Sequence, residues 1–136
     1  MSISTVGVIG LGTMGAGIAE VIARNGCAVI AIENDEEALE RGRGHVVGST
    51  ARAVSRGKIT AEDQEALLGR ITFTTKYDDL AAVDLVIEAV PEDADLKKDV
   101  LRQVDAIIPP SAILASNTSS LSVTDLAVAT GRPANV

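Results

Sequence analysis

Val6-Gly7-Val8-Ile9-Gly10-Leu11-Gly12-Thr13-Met14-Gly15 is the stretch on which the fold depends. It predicts a short buried strand, a tight turn and the start of a helix. The glycines at 10, 12 and 15 form the pattern G-x-G-x-x-G, which suits a sharp turn, a close approach to a pyrophosphate and tight helix packing. The N–H groups and positive dipole end of such a helix face the phosphates. A glycine-rich turn can instead serve strand–helix packing alone, so the flanking sequence must decide.

The sequence on both sides of the turn favours dinucleotide binding. An apolar stripe at helical spacing follows the turn and stops at Asn25-Gly26. The next predicted strand covers residues 28–32 and ends at Glu33, which lies 18 residues after Gly15. In dinucleotide-binding folds, an acidic residue at about this distance binds the hydroxyls of the adenosine ribose.

Composition indicates a single domain built around a parallel sheet. The chain has 136 residues and is 46% hydrophobic, but Phe73 and Tyr77 are its only aromatic residues. The core must therefore consist of Val, Ile, Leu and Ala, which suits a sheet buried on both faces. The net charge is −7, and no basic run is longer than Lys97-Lys98. Nucleic acid and anionic membranes are therefore not expected as partners.

The cysteine count and the length of the apolar runs argue against a disulfide-rich, metal-binding, secreted or membrane protein. Cys27 stands alone, so neither a disulfide framework nor a metal site is expected. No signal peptide and no apolar run of membrane length occurs, which predicts a cytoplasmic protein.

A helical hairpin is predicted between the second and third strands. Asn34 is the expected cap of a helix over residues 35–56, and Thr60 starts a shorter helix that ends near Gly69. The first of these helices contains three glycines and few apolar positions, each glycine costing about 1 kcal/mol relative to alanine. We therefore expect an arm that leaves the body or covers it loosely.

The rest of the chain continues the alternation of strands and helices. Strands are predicted at 71–74, 83–89 and 113–115, helices at 93–107 and from about 122 to 131, and the approach to a sixth strand at 135–136. Right-handed crossovers then give an α/β fold, a doubly wound parallel (Rossmann) sheet with strand order 3-2-1-4-5 and the hairpin inserted after strand 2. Residues 1–136 are expected to form this one domain.

Polar residues follow three of the predicted strands, at the sheet edge where such folds bind ligands. They are Glu33 after strand 2, residues 88–92 after strand 4 and residues 116–120 after strand 5. Each could instead cap a helix or form a turn. Lys97, taken alone, is predicted to be a solvated helix residue.

Together these segments resemble those of the 3-hydroxyacyl-CoA dehydrogenase family. Glu88-Ala89-Val90-Pro91-Glu92, followed by Lys97, is similar to the family pattern E-A-[VI]-x-E-x-x-x-x-K, and residues 115–121 resemble its A-S-N-T-S-S-L segment. Residues 10–15 and Glu33 match its NAD fingerprint. The resemblance covers essentially the whole chain and is strongest to the bacterial 3-hydroxybutyryl-CoA dehydrogenase branch.

The resemblance implies NAD as cofactor and assigns residues to it. The pyrophosphate would lie against Gly10, Leu11, Gly12, Thr13, Met14 and Gly15. Glu33, where many family members have Asp, would bind the adenosine ribose. The ribose and nicotinamide side of the site would be lined by Ala89, Glu92 and Lys97.

The resemblance also implies residues for an acyl-CoA substrate. Ser119 would hydrogen-bond the reacting oxygen where nicotinamide meets substrate, and Asn117 would help to shape that site. Ser49 and Arg56 fall where the family contacts coenzyme A from its helical arm. Arg56 replaces a usual lysine, and Lys58 could serve instead.

The family's catalytic histidine, in an H-F-F-N-P segment, would lie a few residues beyond Val136. His45 is the only histidine in the chain and belongs to a different element. We therefore expect the chain to be the NAD-binding portion of the enzyme, without the helical domain that completes the substrate site and a homodimer. On this expectation the 136 residues bind NAD but are inactive alone.

Two other functions remain open on the sequence. One is a self-standing NAD sensor or interaction module without catalysis. The other is a related 2-hydroxyacid-type dehydrogenase that shares the glycine fingerprint, although residues 88–97 and 116–120 argue against it.

Overall fold

The computed structural model describes residues 3–90 and 94–116 and contains five parallel strands in the order β3-β2-β1-β4-β5. The strands are β1 (Thr5–Ile9), β2 (Ala28–Ile32), β3 (Ile71–Thr74), β4 (Leu85–Glu88) and β5 (Ile113–Ser116). The helices are α1 (Thr13–Arg24), α2 (Glu36–Ser55), α3 (Ala61–Gly69) and α4 (Ala94–Asp105), and a 3₁₀ turn covers Tyr77–Leu80. The predicted doubly wound sheet is confirmed. The helix predicted after residue 121 and the approach to a sixth strand lie outside the described residues.

The register of the central strands brings their carboxyl ends to one level. Ile9 of β1 is paired with Ile32 of β2 on one side and with Glu88 of β4 on the other. The residues that follow these strands therefore emerge next to one another, at the edge where the order of the strands reverses.

Helices cover both faces of the sheet. One face packs against α1, α2 and α3, with Val8, Ala19 and Val46 in its core. The other packs against α4, with Val86 and Leu101 in its core. Both cores consist largely of aliphatic residues, as the composition predicted.

The helical hairpin between β2 and β3 is confirmed, with one correction at its start. Asp35, not Asn34, is the N-cap of α2, because its Oδ1 accepts a hydrogen bond from the N–H of Ala38 at 2.8 Å. The start of α3 is as predicted: Thr60 and Asp63 form a reciprocal capping box.

The prediction that α2 is a loosely attached arm is wrong. Val46 and Thr50 are fully buried, and a Cβ at position 42 would overlap the side chain of Leu11. Gly42 therefore lets α2 approach the glycine-rich turn closely, a benefit that a propensity argument does not include. The hydroxyl of Thr50 also accepts a hydrogen bond from Gln64 Nε2 at 3.0 Å, which ties α3 to α2.

Within the described ranges, no helix is long and apolar enough to cross a membrane. The same ranges contain no cluster of three or more His, Cys, Asp and Glu side chains placed to hold a metal ion.

Candidate functional site

The three glycines of the turn after β1 have distinct structural roles. Gly10 has φ of 92°, which favours glycine, and its N–H donates to the carbonyl of Ile32 at 2.9 Å. A Cβ at Gly15 would clash with the carbonyl oxygen of Gly10, so α1 reaches the strand only with glycine there. A Cβ at Gly12 would meet no described atom within 4 Å and would project into open space. Gly12 is therefore not required by packing among the described residues.

The open space beside Gly12 is a cleft of about 470 Å³, called here the glycine cleft. Seven predicted cofactor residues line it: Gly10, Gly12, Thr13, Met14, Gly15, Glu33 and Ala89. Asn34, Ala38, Arg41, Val90 and Leu96 complete its lining. Among the described residues, no side chain caps the N-terminus of α1, and its first turn carries no acidic residue. The glycine cleft therefore fits the pyrophosphate of a dinucleotide, held against backbone N–H groups and a helix dipole.

Glu33 and Leu11 are joined to each other inside this region. Oε2 of Glu33 accepts a hydrogen bond from the N–H of Leu11 at 2.8 Å. The Leu11 side chain is buried beneath α2. The side chain of Leu11 thus supports the turn from behind, and the residue reaches this region through its backbone N–H.

Sequence reasoning missed polar groups beside Glu33. The hydroxyl of Tyr77 donates to Asn34 Oδ1 at 3.1 Å. Burial raises the pKa of Tyr77 above its ordinary 10.0, and the nearby carboxylate of Glu33 adds to the increase. Tyr77 is therefore a neutral hydrogen-bond donor at physiological pH. Arg41 lines the glycine cleft one helical turn after Ala38. Following one face of the helix after Glu33 in the sequence could have identified Arg41.

Glu88 and Lys97 form a buried ion pair on the α4 side of the sheet. Both side chains are fully buried, and Lys97 Nζ lies 2.9 Å from Glu88 Oε2. Nζ also donates to the carbonyl oxygen of Val90 at 3.1 Å, and the N–H of Val90 donates to Glu88 Oε2 at 2.6 Å. The prediction of a solvated Lys97 is wrong. The pair fixes the turn that carries Ala89 and Val90 into the lining of the glycine cleft.

Ser49 and Arg56 are brought together in a second depression, between α1 and α2. This basic groove, of about 240 Å³, is lined by Glu20, Arg24, Ser49, Arg52, Ala53, Arg56 and Lys58. A smaller cavity of about 130 Å³ shares Glu20, Ser49 and Arg52 with it. Thr13 lines both the smaller cavity and the glycine cleft, so the two sites adjoin.

The resemblance pointed to Ser49, Arg56 and Lys58, but the sequence did not predict Arg24 and Arg52 in the same groove, because the charges are not consecutive. Arg52 lies in the last turn of α2, Arg56 is the C-cap of that helix, Lys58 follows two residues later, and Arg24 comes from α1. His45 lines the smaller cavity and not the glycine cleft. The predicted site residues Glu92, Asn117 and Ser119 lie outside the described residues.

Comparisons with known proteins agree with this arrangement. The family model for the NAD binding domain of 3-hydroxyacyl-CoA dehydrogenase matches residues 5–136. The chain is 46% identical over 136 residues to 3-hydroxybutyryl-CoA dehydrogenase of Mycobacterium tuberculosis, covering 99% of this chain and 48% of that protein. A probable 3-hydroxybutyryl-CoA dehydrogenase of Deinococcus radiodurans is 47% identical over 128 residues, which are 94% of this chain and 46% of the relative.

Solved structures give the same result. The crystal structure of (S)-3-hydroxybutyryl-CoA dehydrogenase from Ralstonia eutropha superposes with a TM-score of 0.94 at 45% identity, over 97% of this chain and 47% of that one. The chain thus spans about half the length of these relatives. It belongs to the 3-hydroxyacyl-CoA dehydrogenase family, and residues 5–136 match that family's NAD-binding domain.

Proposed function

We propose that the protein is an oxidoreductase that interconverts (3S)-3-hydroxyacyl-CoA and 3-oxoacyl-CoA with NAD, in fatty-acid or butanoate metabolism. The observation that carries the proposal is the junction of two sites. A glycine cleft suited to a dinucleotide shares Thr13 with the smaller cavity, and this cavity shares Glu20, Ser49 and Arg52 with a basic groove suited to a polyanion. Coenzyme A carries several phosphate charges, so it suits the basic groove. An acyl-CoA in that groove would lie beside an NAD molecule in the glycine cleft.

We propose the following division of labour in the glycine cleft. Gly12 and the N-terminus of α1 receive the pyrophosphate, while Glu33 accepts hydrogen bonds from the adenosine ribose. Bound NAD supplies the hydride acceptor for alcohol oxidation. The Glu88–Lys97 pair positions Ala89 and Val90 at the wall of the cleft.

The remaining assignments rest on the family resemblance. Glu92 would border the ribose and nicotinamide, and Ser119 with Asn117 would hold the reacting oxygen. Lys97, which the resemblance assigns to the same side of the site, would act there through its hydrogen bond to Val90. Ser49 and Arg56 would contact coenzyme A from the basic groove. Oxidation also needs a base for the hydroxyl proton. His45 does not line the glycine cleft, so we propose that it is not this base.

We also propose a cytoplasmic homodimer that has neither nucleic acid nor membrane as a partner. The net charge of −7 supports this proposal, because it repels nucleic acids and anionic membrane surfaces.

Gly12→Ala in the natural full-length protein tests the cofactor site. The added methyl meets no described protein atom but enters the space assigned to the pyrophosphate. We expect an unchanged melting temperature and at least about tenfold weaker NAD binding by titration calorimetry. NADH formation from 3-hydroxybutyryl-CoA should fall in parallel.

Gly44→Ala is the matched control, since its methyl also meets no described atom and Gly44 does not line the cleft. It should keep NAD affinity and gain up to about 1 kcal/mol of stability. Equal NAD affinity in both variants would contradict the cofactor assignment.

Residues 1–136 alone should bind NAD without forming NADH. Turnover at the full-length rate would place the catalytic base among these residues.

A further inference from the structure

One face of the sheet is covered by helices over only part of its width. On the face that packs against α1, α2 and α3, Val29 of β2 and Val6 of β1 are buried. The register continues this row to Leu85 of β4 and Ile113 of β5. Leu85 is only half-buried, and Ile113 is 37% exposed. Leu114, the next residue of β5, belongs to the α4 face and is fully buried, so the exposure of Ile113 does not come from its strand alone.

The incompletely covered residues on this face are apolar. Ile87 and Ala115 form the neighbouring row and are also only half-buried. The α4 face is open as well, but at β3, where the exposed residue is Thr72. A sheet face in contact with water normally carries polar residues, and parallel sheets are almost always covered on both faces. The apolar residues of β4 and β5 therefore indicate a surface that another element covers.

One flank of α1 borders the same strands. A Cβ at Gly15 would lie 3.5 Å from the Cβ of Ala89, which places the start of α1 beside the end of β4. Ile18 packs against the same core cluster as the half-buried residues of β4. Val21 shares a helix face with Ile18 and is 54% exposed. Together these residues form a surface, called here the apolar sheet face, which consists of Ile18, Val21, Leu85, Ile87, Ile113 and Ala115.

The topology and the charge limit what can cover the apolar sheet face. The connection from β4 to β5 runs through α4 on the opposite face, and a further right-handed crossover outward from β5 would lie on that opposite face too. A second copy of the chain is disfavoured, because each copy carries a net charge of −7. The relatives from Deinococcus radiodurans and Mycobacterium tuberculosis, in contrast, have a further part, since this chain covers 46% and 48% of their lengths.

We infer that the apolar sheet face is the docking surface for the part of the natural full-length protein that follows residue 136. Apolar side chains of that part complete the core over β4 and β5, and the burial of apolar area drives the contact. Met14 is exposed one helical turn before Ile18 and lines the glycine cleft. The docked part therefore stands at the rim of this cleft. The inference concerns how the halves of the protein pack, and it does not depend on the proposed reaction.

Hydroxyl-radical footprinting read by mass spectrometry tests the inference without any substitution. The natural full-length protein and residues 1–136 are oxidised at equal protein concentration, and melting curves confirm that both are folded. Val21 and Ile113 should react at least about fivefold more slowly in the full-length protein, as expected for side chains in the dry core of an interface. Val47, which is 39% exposed on α2, is the internal reference and should react at the same rate in both.

Val21→Asp tests the same surface through stability. In the full-length protein a carboxylate would enter an apolar contact, and we expect the melting temperature to fall by at least about 4 °C. The same substitution in residues 1–136 should shift it by under about 2 °C, because Val21 is exposed there. Val47→Asp is the matched control and should shift the full-length protein by under about 2 °C. These two full-length variants carry the test if residues 1–136 do not fold alone.

Other occupants give different results. Fast oxidation of Val21 and Ile113 in both forms would mean that the face is open to water. Slow oxidation already in residues 1–136 would assign the covering to residues 117–136, and protection that disappears on dilution would assign it to a second copy. Each of these results overturns the inference. None of them changes NAD binding or NADH formation, which test the proposed function separately.

Discussion

Glu33 and Glu88 stand at the ends of the two strands that flank β1, yet they have opposite environments. Glu88 is paired in register with Ile9 and points into the α4 core, where it is fully buried against Lys97. Glu33 comes one residue after Ile32, which is also paired with Ile9. Side chains alternate between faces along a strand, so that single residue turns Glu33 away from the α4 core. It borders the glycine cleft and accepts a hydrogen bond from Leu11.

The strand register around β1 thus places one carboxylate in the core and the other at the cleft. Glu88 links parts of the protein to one another, since the Lys97 ammonium group and the backbone N–H of Val90 are among its partners. Glu33 stays partly exposed at a site where a ligand can lie. We therefore expect substitutions near Glu88 to act mainly on stability and substitutions of Glu33 to act mainly on cofactor affinity.

Lys97→Met should have the largest effect of the variants considered. It leaves the Glu88 carboxylate buried without its ammonium partner, which typically costs about 3–5 kcal/mol of unfolding free energy. Urea unfolding followed by circular dichroism measures this loss. Lys98→Met, at the next and less buried position, is the control and should change stability by under about 0.5 kcal/mol.

The double variant Glu88→Gln/Lys97→Met sharpens the same point. With both charges removed, most of the lost stability should return, because buried ion pairs are often replaceable by neutral residues. If the double variant is as unstable as Lys97→Met, the loss of unfolding free energy comes from packing and not from the uncompensated charge.

Glu33→Gln tests the other side of the comparison and should have an intermediate effect. The amide oxygen can still accept from the Leu11 N–H, so the melting temperature should change little. Loss of the negative charge weakens the hydrogen bonds to the ribose hydroxyls, and we expect about tenfold weaker NAD binding. The preference for NAD over NADP should narrow, because a carboxylate repels a 2′-phosphate and the substitution removes that repulsion.

Calorimetric titration of both cofactors measures this preference. Glu65→Gln, an exposed substitution on α3 away from the lining of the glycine cleft, is the control for a general change in charge. Tighter binding of NADP than of NAD by the wild type would refute the role assigned to Glu33.

The sequence predicted the fold well because its signals are local and repeated. Apolar strands, glycine turns and the helix start at Thr60 each depend on a few neighbouring residues, and their positions agree with the structure. The strand order followed from connection rules that hold across this class of fold. Glu33 was also predictable, since its place after β2 depends on counting alone.

The failures share a physical cause, which is contact between distant residues. Gly42 reads as a helix-weakening residue until Leu11 is seen against it. Lys97 reads as solvated until the register of β4 places Glu88 opposite α4. The basic groove needs Arg24 from one helix and Arg52 from another. None of these pairings leaves a local pattern in the sequence.

A third carboxylate, Asp84 just before β4, extends the comparison to the surface at the opposite end of the sheet. Its Oδ2 accepts hydrogen bonds from the N–H groups of Ser4 and Thr5 at 2.9 and 3.1 Å. These two hydrogen bonds hold the pKa of Asp84 below its ordinary 3.8, and the bond from Ser4 contributes most. A lowered folded-state pKa contributes stability above the unfolded-state value, and this contribution is lost as the pH falls through the folded-state value.

Asp84→Asn should therefore have the smallest effect, a slight loss of stability near neutral pH and a flatter decline of stability below pH 3.8. The amide accepts the same hydrogen bonds more weakly and does not titrate. Urea midpoints measured from neutral pH down to about pH 2, below the ordinary range of an aspartate pKa, check the slope. Asp78→Asn, an exposed substitution in the 3₁₀ turn, is the control for the removal of one surface carboxylate. Parallel slopes for Asp84→Asn and the wild type would mean that the carboxylate charge does not hold the start of β1 against β4.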